Sequence, residues 1–247
     1  VVPHIDVSKG EAMYAQVYKL LALAPPADLY IILGTGHRPM EMPFSLTRKH
    51  FKTPLAQIKT DWEMADVIAR HCEFDVYYDE FAHRDEHSIE FQTLFLSHFF
   101  EPSFKILPVL CSFSHETDDE TEQMIRSFTQ SLFRILDRYK GSYCIIASVD
   151  LAHVGIQYGD NFKPDPRFLA NVEQSDRKIL ENVAQQDKHQ FIRYFKQTGN
   201  EYHVCGFAPL RTFLEIIPDA QGYILDYNNS IMDNNRSTVT YGGMIFI

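Results

Sequence analysis

Apolar runs of strand length alternate along this chain with longer segments of helical period. Runs such as Leu29 to Leu33 are rich in β-branched and aromatic residues, as buried strands usually are. Strands that alternate with helices are typical of a sheet covered by helices on both faces. The pattern therefore predicts an α/β fold of three α/β/α layers around a central, mostly parallel or mixed sheet.

The predicted elements can be placed along the chain by these two periods. Strands are expected at Leu29 to Leu33, Phe74 to Tyr78, Phe104 to Leu110, Tyr143 to Val149, Gly222 to Asp226 and Thr238 to Ile247. Helices are expected at Glu11 to Ala24, Asp61 to His71, Glu86 to Phe100, Thr117 to Tyr139, Asp165 to Ala184, Lys188 to Gln197 and Ala208 to Ile216, with Asp61 and Thr117 as N-caps.

No stretch of the chain has the composition of a linker between domains. The region 34–60 contains Pro39, Pro43 and Pro54 and has weak periodicity, so we expect a long loop that could include one hairpin. There is no internal repeat and no segment rich in Pro, Gly or Ser. We expect residues 1–247 to form a single domain.

Charge and apolar content exclude two classes of partner. The chain has 33 Asp and Glu against 23 Lys and Arg, a net charge of −10, so it lacks the positive field that nucleic acids require. Its apolar runs are far shorter than the ~20 residues that span a bilayer. The four cysteines form no C-x-x-C pair, which argues against a zinc ribbon or a disulfide-rich secreted domain. We expect a cytoplasmic protein with no nucleic-acid or membrane partner.

Polar side chains follow several of the predicted strands at their carboxyl ends. The strand Leu29 to Leu33 leads into His37, Lys105 to Leu110 into His115, and Cys144 to Val149 into Asp150. In open α/β sheets ligands bind at these ends, because the loops there converge while the strands stay packed. The sequence thus predicts a site at this edge of the sheet.

Two further residues have the chemistry of metal ligands. With Asp85 as the expected N-cap, His87 lies in the first turn of a helix, where the helix dipole favours the neutral imidazole that binds metals. Cys205 precedes a helix that opens with Pro209, and a helix N-terminus favours the thiolate. Each residue could instead have only a local structural role.

The segment from His83 to His87 also matches the H-x-x-E-H string of inverted zinc proteases, with Glu86 as base. That site needs both histidines on one face of a continuous helix. An N-cap at Asp85 would break the helix between them, so the hydrolase is the weaker interpretation.

Three more polar residues are candidates for catalysis. Asp150 and His153 share a short segment after a strand, where the carboxylate could orient the imidazole or both could cap a turn. His4 follows Pro3 close to the start of the first segment. We expect His153 to act as a general acid or base steered by Asp150, with His4 nearby.

The chain resembles the Memo family, known in prokaryotes as AmmeMemoRadiSam system protein B, which is related to class III extradiol ring-cleaving dioxygenases. Blocks in family order carry the resemblance: Ile32-Leu-Gly-Thr-Gly-His37, Asp85-Glu-His-Ser-Ile-Glu90, Ala147-Ser-Val-Asp-Leu-Ala-His153, Cys205-Gly206 and Ser237-Thr-Val-Thr-Tyr-Gly-Gly243.

The resemblance implies an extradiol-dioxygenase-like fold and a metal pocket. The metal ligands it implies are His37, His87 and Cys205, with Asp150 and His153 beside them. His4 is similar to the histidine of the family's opening Pro-His block, whereas Arg38 replaces the family's usual second histidine.

Two functions of different classes follow. The first is a metal-dependent oxidoreductase: two imidazoles and a thiolate suit iron or copper, with zinc as a further candidate, and leave a position open for a small molecule. The second is a non-catalytic module that binds a peptide or phosphopeptide in the same pocket, where histidines and Arg38 would suit an anion.

Overall fold

The computed structural model describes residues Val1–Ile247. Its helices are α1 (Val7–Leu21), α2 (Trp62–Ala69), α3 (His87–Phe99), α4 (Asp119–Asp137), α5 (Pro166–Ala184), α6 (Lys188–Thr198) and α7 (Phe207–Ile216). Its strands are β1 (Leu29–Thr35), β2 (Phe44–Leu46), β3 (Phe51–Lys52), β4 (Gln57–Thr60), β5 (Lys105–Cys111), β6 (Tyr143–Ser148), β7 (His153–Val154), β8 (Gly222–Ile231) and β9 (Thr238–Phe246).

The central sheet is mixed and mostly parallel, as expected from the sequence. Its strand order is β3-β4-β5-β1-β6, and β1 pairs in parallel with both β5 and β6. β2 adds antiparallel pairing to the carboxyl end of β5. Since β1, β5 and β6 run in one direction, their carboxyl ends share one edge, where His37 and Asp150 follow β1 and β6.

Two hydrophobic cores lie on the two faces of this sheet. Alternate residues of β1 point to opposite faces: Leu29, Ile31 and Leu33 belong to one core, and Tyr30 and Ile32 to the other. The first core includes residues of α2, α4 and α7, and the second includes residues of α1 and α3. Helices thus cover both faces, which confirms the α/β/α prediction.

Two predictions about local structure are wrong. Phe74–Tyr78 is a turn and not a strand, although the Leu46 N–H of β2 donates a hydrogen bond to the Val76 carbonyl at 2.8 Å. The Asp75 carboxylate accepts a hydrogen bond from the Tyr77 backbone N–H, which fixes the turn. Likewise the N-cap of α4 is Asp118, whose carboxylate binds the Thr121 N–H, and not Thr117.

The predicted loop at 34–60 holds three short strands. β2 joins β5, and β3 and β4 form a hairpin whose β4 strand also pairs in parallel with β5. The Thr53 hydroxyl accepts hydrogen bonds from the Leu55 and Ala56 N–H groups and closes the hairpin turn. The sequence allowed for one hairpin in this region, and β3 and β4 form one. The positions of strands of two to four residues could not be predicted, because such strands leave too little periodicity.

A second sheet of order β7-β9-β8 joins the first at the carboxyl end of β6. The Leu151 N–H donates to the Thr240 carbonyl, and the Ala152 N–H to the Thr240 hydroxyl oxygen. The segment that carries Asp150 and His153 is therefore held by β9.

Asp176 on α5 connects that helix to the second sheet. Its side chain is fully buried, and one carboxyl oxygen accepts hydrogen bonds from Tyr227 (2.9 Å) and Thr240 (2.6 Å). The other oxygen has no hydrogen-bond partner. Burial raises the pKa of Asp176 to about 7, against hydrogen bonds from Thr240 and Tyr227 that lower it.

No helix combines the length and the apolar character that crossing a bilayer demands.

We predict that Asp176→Asn makes folding stability less dependent on pH. The folded carboxyl binds its proton more tightly than the unfolded one, so its contribution is complete below about pH 4 and lost as pH rises through about 7. The neutral variant lacks that loss, and its free energy of unfolding relative to the parent should rise by about 2–4 kcal/mol between pH 4 and pH 8. Urea unfolding at the two pH values measures this. The exposed Asp219→Asn is the control; an equal effect there would contradict the assignment.

Candidate metal centre

Three histidines from separate parts of the chain meet at the carboxyl edge of the central sheet. One ligand nitrogen from each of His4, His37 and His87 can be chosen so that all lie within 4.8 Å of one another. Ligands of a tetrahedral zinc ion lie about 3.3 Å apart, given zinc–nitrogen bonds of about 2.0–2.1 Å. Small side-chain rotations would close the difference, so the cluster could hold a metal ion.

His4 is placed by an extended amino-terminal segment that runs beside β6. Val2 forms a parallel bridge with Ser148, and the Gln92 amide of α3 donates to the Pro3 carbonyl (2.8 Å). The His4 ring is 1% exposed. Its Nδ1 lies 2.9 Å from the Ser148 carbonyl, which can only accept, so Nδ1 carries the hydrogen and Nε2 keeps its lone pair.

His37 is oriented by a buried carboxylate. Glu86 accepts hydrogen bonds from the His37 backbone N–H (2.9 Å) and from its Nδ1 (3.0 Å), which leaves Nε2 free. Burial raises the pKa of the Glu86 carboxyl, but the hydrogen bonds from His37 and Ser88 outweigh it and hold the pKa below its ordinary value. A carboxylate behind a histidine is the arrangement that fixes the tautomer of metal ligands.

His87 opens α3, as the sequence predicts, but the N-cap is Glu86 and not Asp85. The Glu86 carboxylate accepts the Ser88 N–H (2.9 Å) and lies 3.5 Å from the His87 Nδ1. Asp85 instead forms an exposed ion pair with Arg38 at 3.2 Å. Glu86 is the better cap because the same oxygens also bind His37, which fixes the carboxylate at the helix start.

Glycine allows α3 to approach the end of β1. A Cβ atom at Gly34 would lie 2.6 Å from the Ser88 hydroxyl and 2.7 Å from a side-chain carbon of Ile89. Any larger residue would push the helix start away from the strand and separate His87 from His37. The role of this glycine is a close approach, because its backbone is not in the left-handed region.

Cys205 lies beside His4 at the start of α7. Its Sγ is 3.5 Å from the His4 Nε2 and 3.6 Å from the Asp150 carbonyl oxygen. Gly206 permits this position, because a Cβ there would lie 2.7 Å from that carbonyl oxygen. Burial, and then the Asp150 charge, raise the pKa of the Cys205 thiol well above its usual range, whereas the sequence predicted a thiolate. The helix start therefore does not ionise this thiol by itself.

Asp150 anchors the His4 segment. Its Oδ1 accepts the backbone N–H groups of His4 (2.9 Å) and Ile5 (3.0 Å), and its Oδ2 is 3.7 Å from the His4 Nε2. Burial raises the pKa of Asp150 to about 6, which nearby histidines and these N–H groups oppose.

His153 lies on β7, and its Nδ1 is 3.0 Å from the Leu151 carbonyl. That contact leaves the Nε2 lone pair free. Burial lowers the pKa of His153, while Asp150 raises it. No hydrogen bond or ion pair joins the two side chains, so Asp150 acts on His153 through charge and on His4 through hydrogen bonds.

The H-x-x-E-H segment does not form a protease site. His83 lies in a separate 3₁₀ helix (Glu80–Asp85), and Glu86 is extended with φ −106° and ψ 114°, so the helix is interrupted. The His83 Nε2 donates to the Ser45 carbonyl at 3.0 Å, and His83 is not part of the histidine cluster.

The sequence placed His37, His87 and His4 near the site, but it gave His4 a catalytic role. The structure groups His4 with the other two histidines. A signal in the sequence could have indicated that His4 is a ligand. The strand-like segment Val1-Val2-Pro3 ends in His4, just as β1 and β6 are followed by potential ligands.

Comparison with known proteins agrees with the blocks seen in the sequence. The family model described as "Memo-like protein" matches residues 1–245. The chain belongs to the Memo family. It is 29% identical to a MEMO1 family protein of Aquifex aeolicus over 99% of this chain, but spans only 62% of that protein's length. It is 29% identical to a MEMO1 family protein of Methanosarcina mazei over 99% of this chain and 84% of that protein.

In this Memo-family chain, the contribution of Glu86 to metal binding by the histidine cluster can be tested. We predict that Glu86→Gln lowers the affinity for Zn(II), a redox-silent probe, by about 10- to 100-fold, because a neutral amide orients His37 and His87 less firmly. Competition with a chromogenic chelator measures the affinity. The matched control is Glu116→Gln, an exposed glutamate outside the cluster. Equal affinity of both variants would show that Glu86 does not support the ligands.

Proposed function

We propose that this protein is a metal-dependent oxidoreductase whose metal is iron or copper. The observation that supports it most is the meeting of His4, His37 and His87 at one edge of the sheet, with the Cys205 sulfur 3.5 Å from the His4 Nε2. In this proposal the three imidazoles and Cys205 hold the metal. A mixed nitrogen and sulfur donor set suits these metals, with zinc as the alternative.

The residues around the metal set the protonation of the site. His4 and His37 hold Nδ1 hydrogens in hydrogen bonds to Ser148 and Glu86, so their Nε2 atoms are free to bind. Burial keeps the Cys205 thiol protonated. We infer that it gives up its proton only when a cation is present to balance the thiolate.

His153 is the proposed proton carrier. Its lowered pKa keeps the imidazole neutral near pH 7, and its free Nε2 can accept a proton from a bound small molecule. Asp150 favours the protonated ring through its charge. The metal, when bound, would supply an open coordination position and a change of oxidation state.

Access to the cluster is from the side of His37 and His87. Their side chains are 34% and 45% exposed, whereas His4 is buried. A small molecule can therefore reach the cluster from solvent while His4 and Cys205 form its floor. The donor set lacks the carboxylate ligand of extradiol dioxygenases, so ring cleavage is not part of the proposal.

A non-catalytic peptide-binding or phosphopeptide-binding module is the second candidate, and one contact weighs against it. Arg38, the cation nearest to His37 in sequence, is paired with Asp85. An incoming phosphate would have to break that exposed pair.

The proposal predicts that protein reconstituted with Fe(II) without oxygen holds one metal per chain and then consumes oxygen over many turnovers with ascorbate as reductant. His37→Ala should abolish stoichiometric binding, and Cys205→Ala should weaken it at least tenfold. Elemental analysis and an oxygen electrode give the two readouts. The controls are His189→Ala, an exposed histidine on α6, and Cys72→Ala.

The role of His153 is tested separately from metal binding. His153→Gln should retain the metal and lose about 10²- to 10⁴-fold in oxygen consumption, the usual contribution of a general acid or base. Uptake of no more than one equivalent of oxygen by the parent protein would contradict the oxidoreductase, and equal binding by Cys205→Ala would remove the thiolate from the ligand set.

A further inference from the structure

A second cleft lies between the β2–β3 connection and the 3₁₀ helix Glu80–Asp85. Its volume is about 470 Å³, within the usual range for pockets that bind small molecules. None of His4, His37, His87 or Cys205 lines it. We call it the Lys49–Arg84 cleft, after the residues on its two sides.

The cleft collects cations that have no acidic partner. Lys49, Lys52 and Arg84 line it, and no carboxylate lies within 4.0 Å of any of them, although the protein has a net charge of −10. Of the two acids in the wall, Glu80 accepts hydrogen bonds from the Thr47 hydroxyl and the Arg48 N–H, and Glu90 is the other. The three cations outnumber these two carboxylates, so the lining has a net positive charge that favours an anion.

His83 is a residue of the cleft wall and carries a buried hydrogen-bond acceptor that has no partner within the protein. The residue is 7% exposed, and its Nε2 donates to the Ser45 carbonyl, so the neutral ring has a lone pair on Nδ1. Burial lowers the pKa of His83 to about 4, which keeps the ring neutral near pH 7. The Nδ1 has no hydrogen-bond partner. Buried polar atoms are nearly always paired, so an atom like this calls for a donor that the protein does not supply.

Two aromatic rings and a second histidine complete the lining. Phe81 is 86% exposed, and Phe51 lies in the wall with it. A ring so exposed at the mouth of a pocket is available to stack on a ligand. The His50 Nδ1 accepts the Thr60 N–H at 3.1 Å, so its hydrogen is on Nε2 as a further donor to an anion.

We propose that the Lys49–Arg84 cleft binds a nucleoside monophosphate. The phosphate lies among Lys49, Lys52 and Arg84, the base stacks on Phe81, and an amino group of the base donates to the His83 Nδ1. This site is separate from the histidine cluster and does not depend on metal binding there.

The test is isothermal titration at fixed pH and salt with AMP, adenosine and inorganic phosphate as probes. AMP should bind, and each of the other two should bind at least tenfold more weakly, since each lacks one half of the contacts. The double variant Lys52→Ala/Arg84→Ala should lose at least tenfold in AMP affinity, and so should Phe81→Ala. Lys140→Ala, an exposed lysine elsewhere, should not.

His37→Ala should bind AMP as the parent does, which separates this cleft from the histidine cluster. His83→Gln keeps a donor for the Ser45 carbonyl but replaces the ring Nδ1 by an amide oxygen at a different position, so it should weaken the binding of AMP more than that of phosphate. Absence of AMP binding at millimolar concentration, equal affinity for AMP and phosphate, or an equal loss in Lys140→Ala would each overturn the proposal.

Discussion

The arrangement of the site depends on one buried carboxylate, that of Glu86. It is 2% exposed, and a buried charge is costly unless hydrogen bonds compensate for it. The His37 backbone, the His37 ring and the Ser88 N–H supply those bonds. Because the same carboxylate is also the N-cap of α3, the helix start, the loop after β1 and two histidines are fixed relative to one another.

The remaining half of the site is built around Asp150 in the same way. Its Oδ1 binds two N–H groups of the amino-terminal segment, and this brings His4 next to Cys205. A further chain of hydrogen bonds runs from Tyr18 to Gln92, and from Gln92 to Ser148 and the Pro3 carbonyl. The two halves therefore share α3, which carries both Gln92 and His87. Displacement of that helix would disturb all three histidines together.

Membership in the Memo family and the histidine cluster carry different information. The family assignment rests on the family model, which matches residues 1–245. The cluster rests on the geometry of nitrogen atoms that belong to residues 4, 37 and 87. The Lys49–Arg84 cleft is independent of both, since its evidence is a set of unpaired cations and one unpaired buried nitrogen.

The amino-acid sequence by itself determined the layers of the fold, since long apolar runs and helical periods are local properties that survive without knowledge of contacts. It also placed His37, Asp150 and His153 at strand ends, where parallel strands bring side chains together.

Prediction from the sequence failed where the local structure depends on contacts with residues distant in the chain. The segment Phe74–Tyr78, expected as a strand, is a turn that the Asp75 carboxylate fixes. Glu86 displaced Asp85 as the cap because it binds His37 as well. Only the tertiary structure decided that His4 joins His37 and His87, and that burial raises the pKa of the Cys205 thiol. Burial and distances between residues far apart in the chain are fixed by packing, and no local pattern contains them.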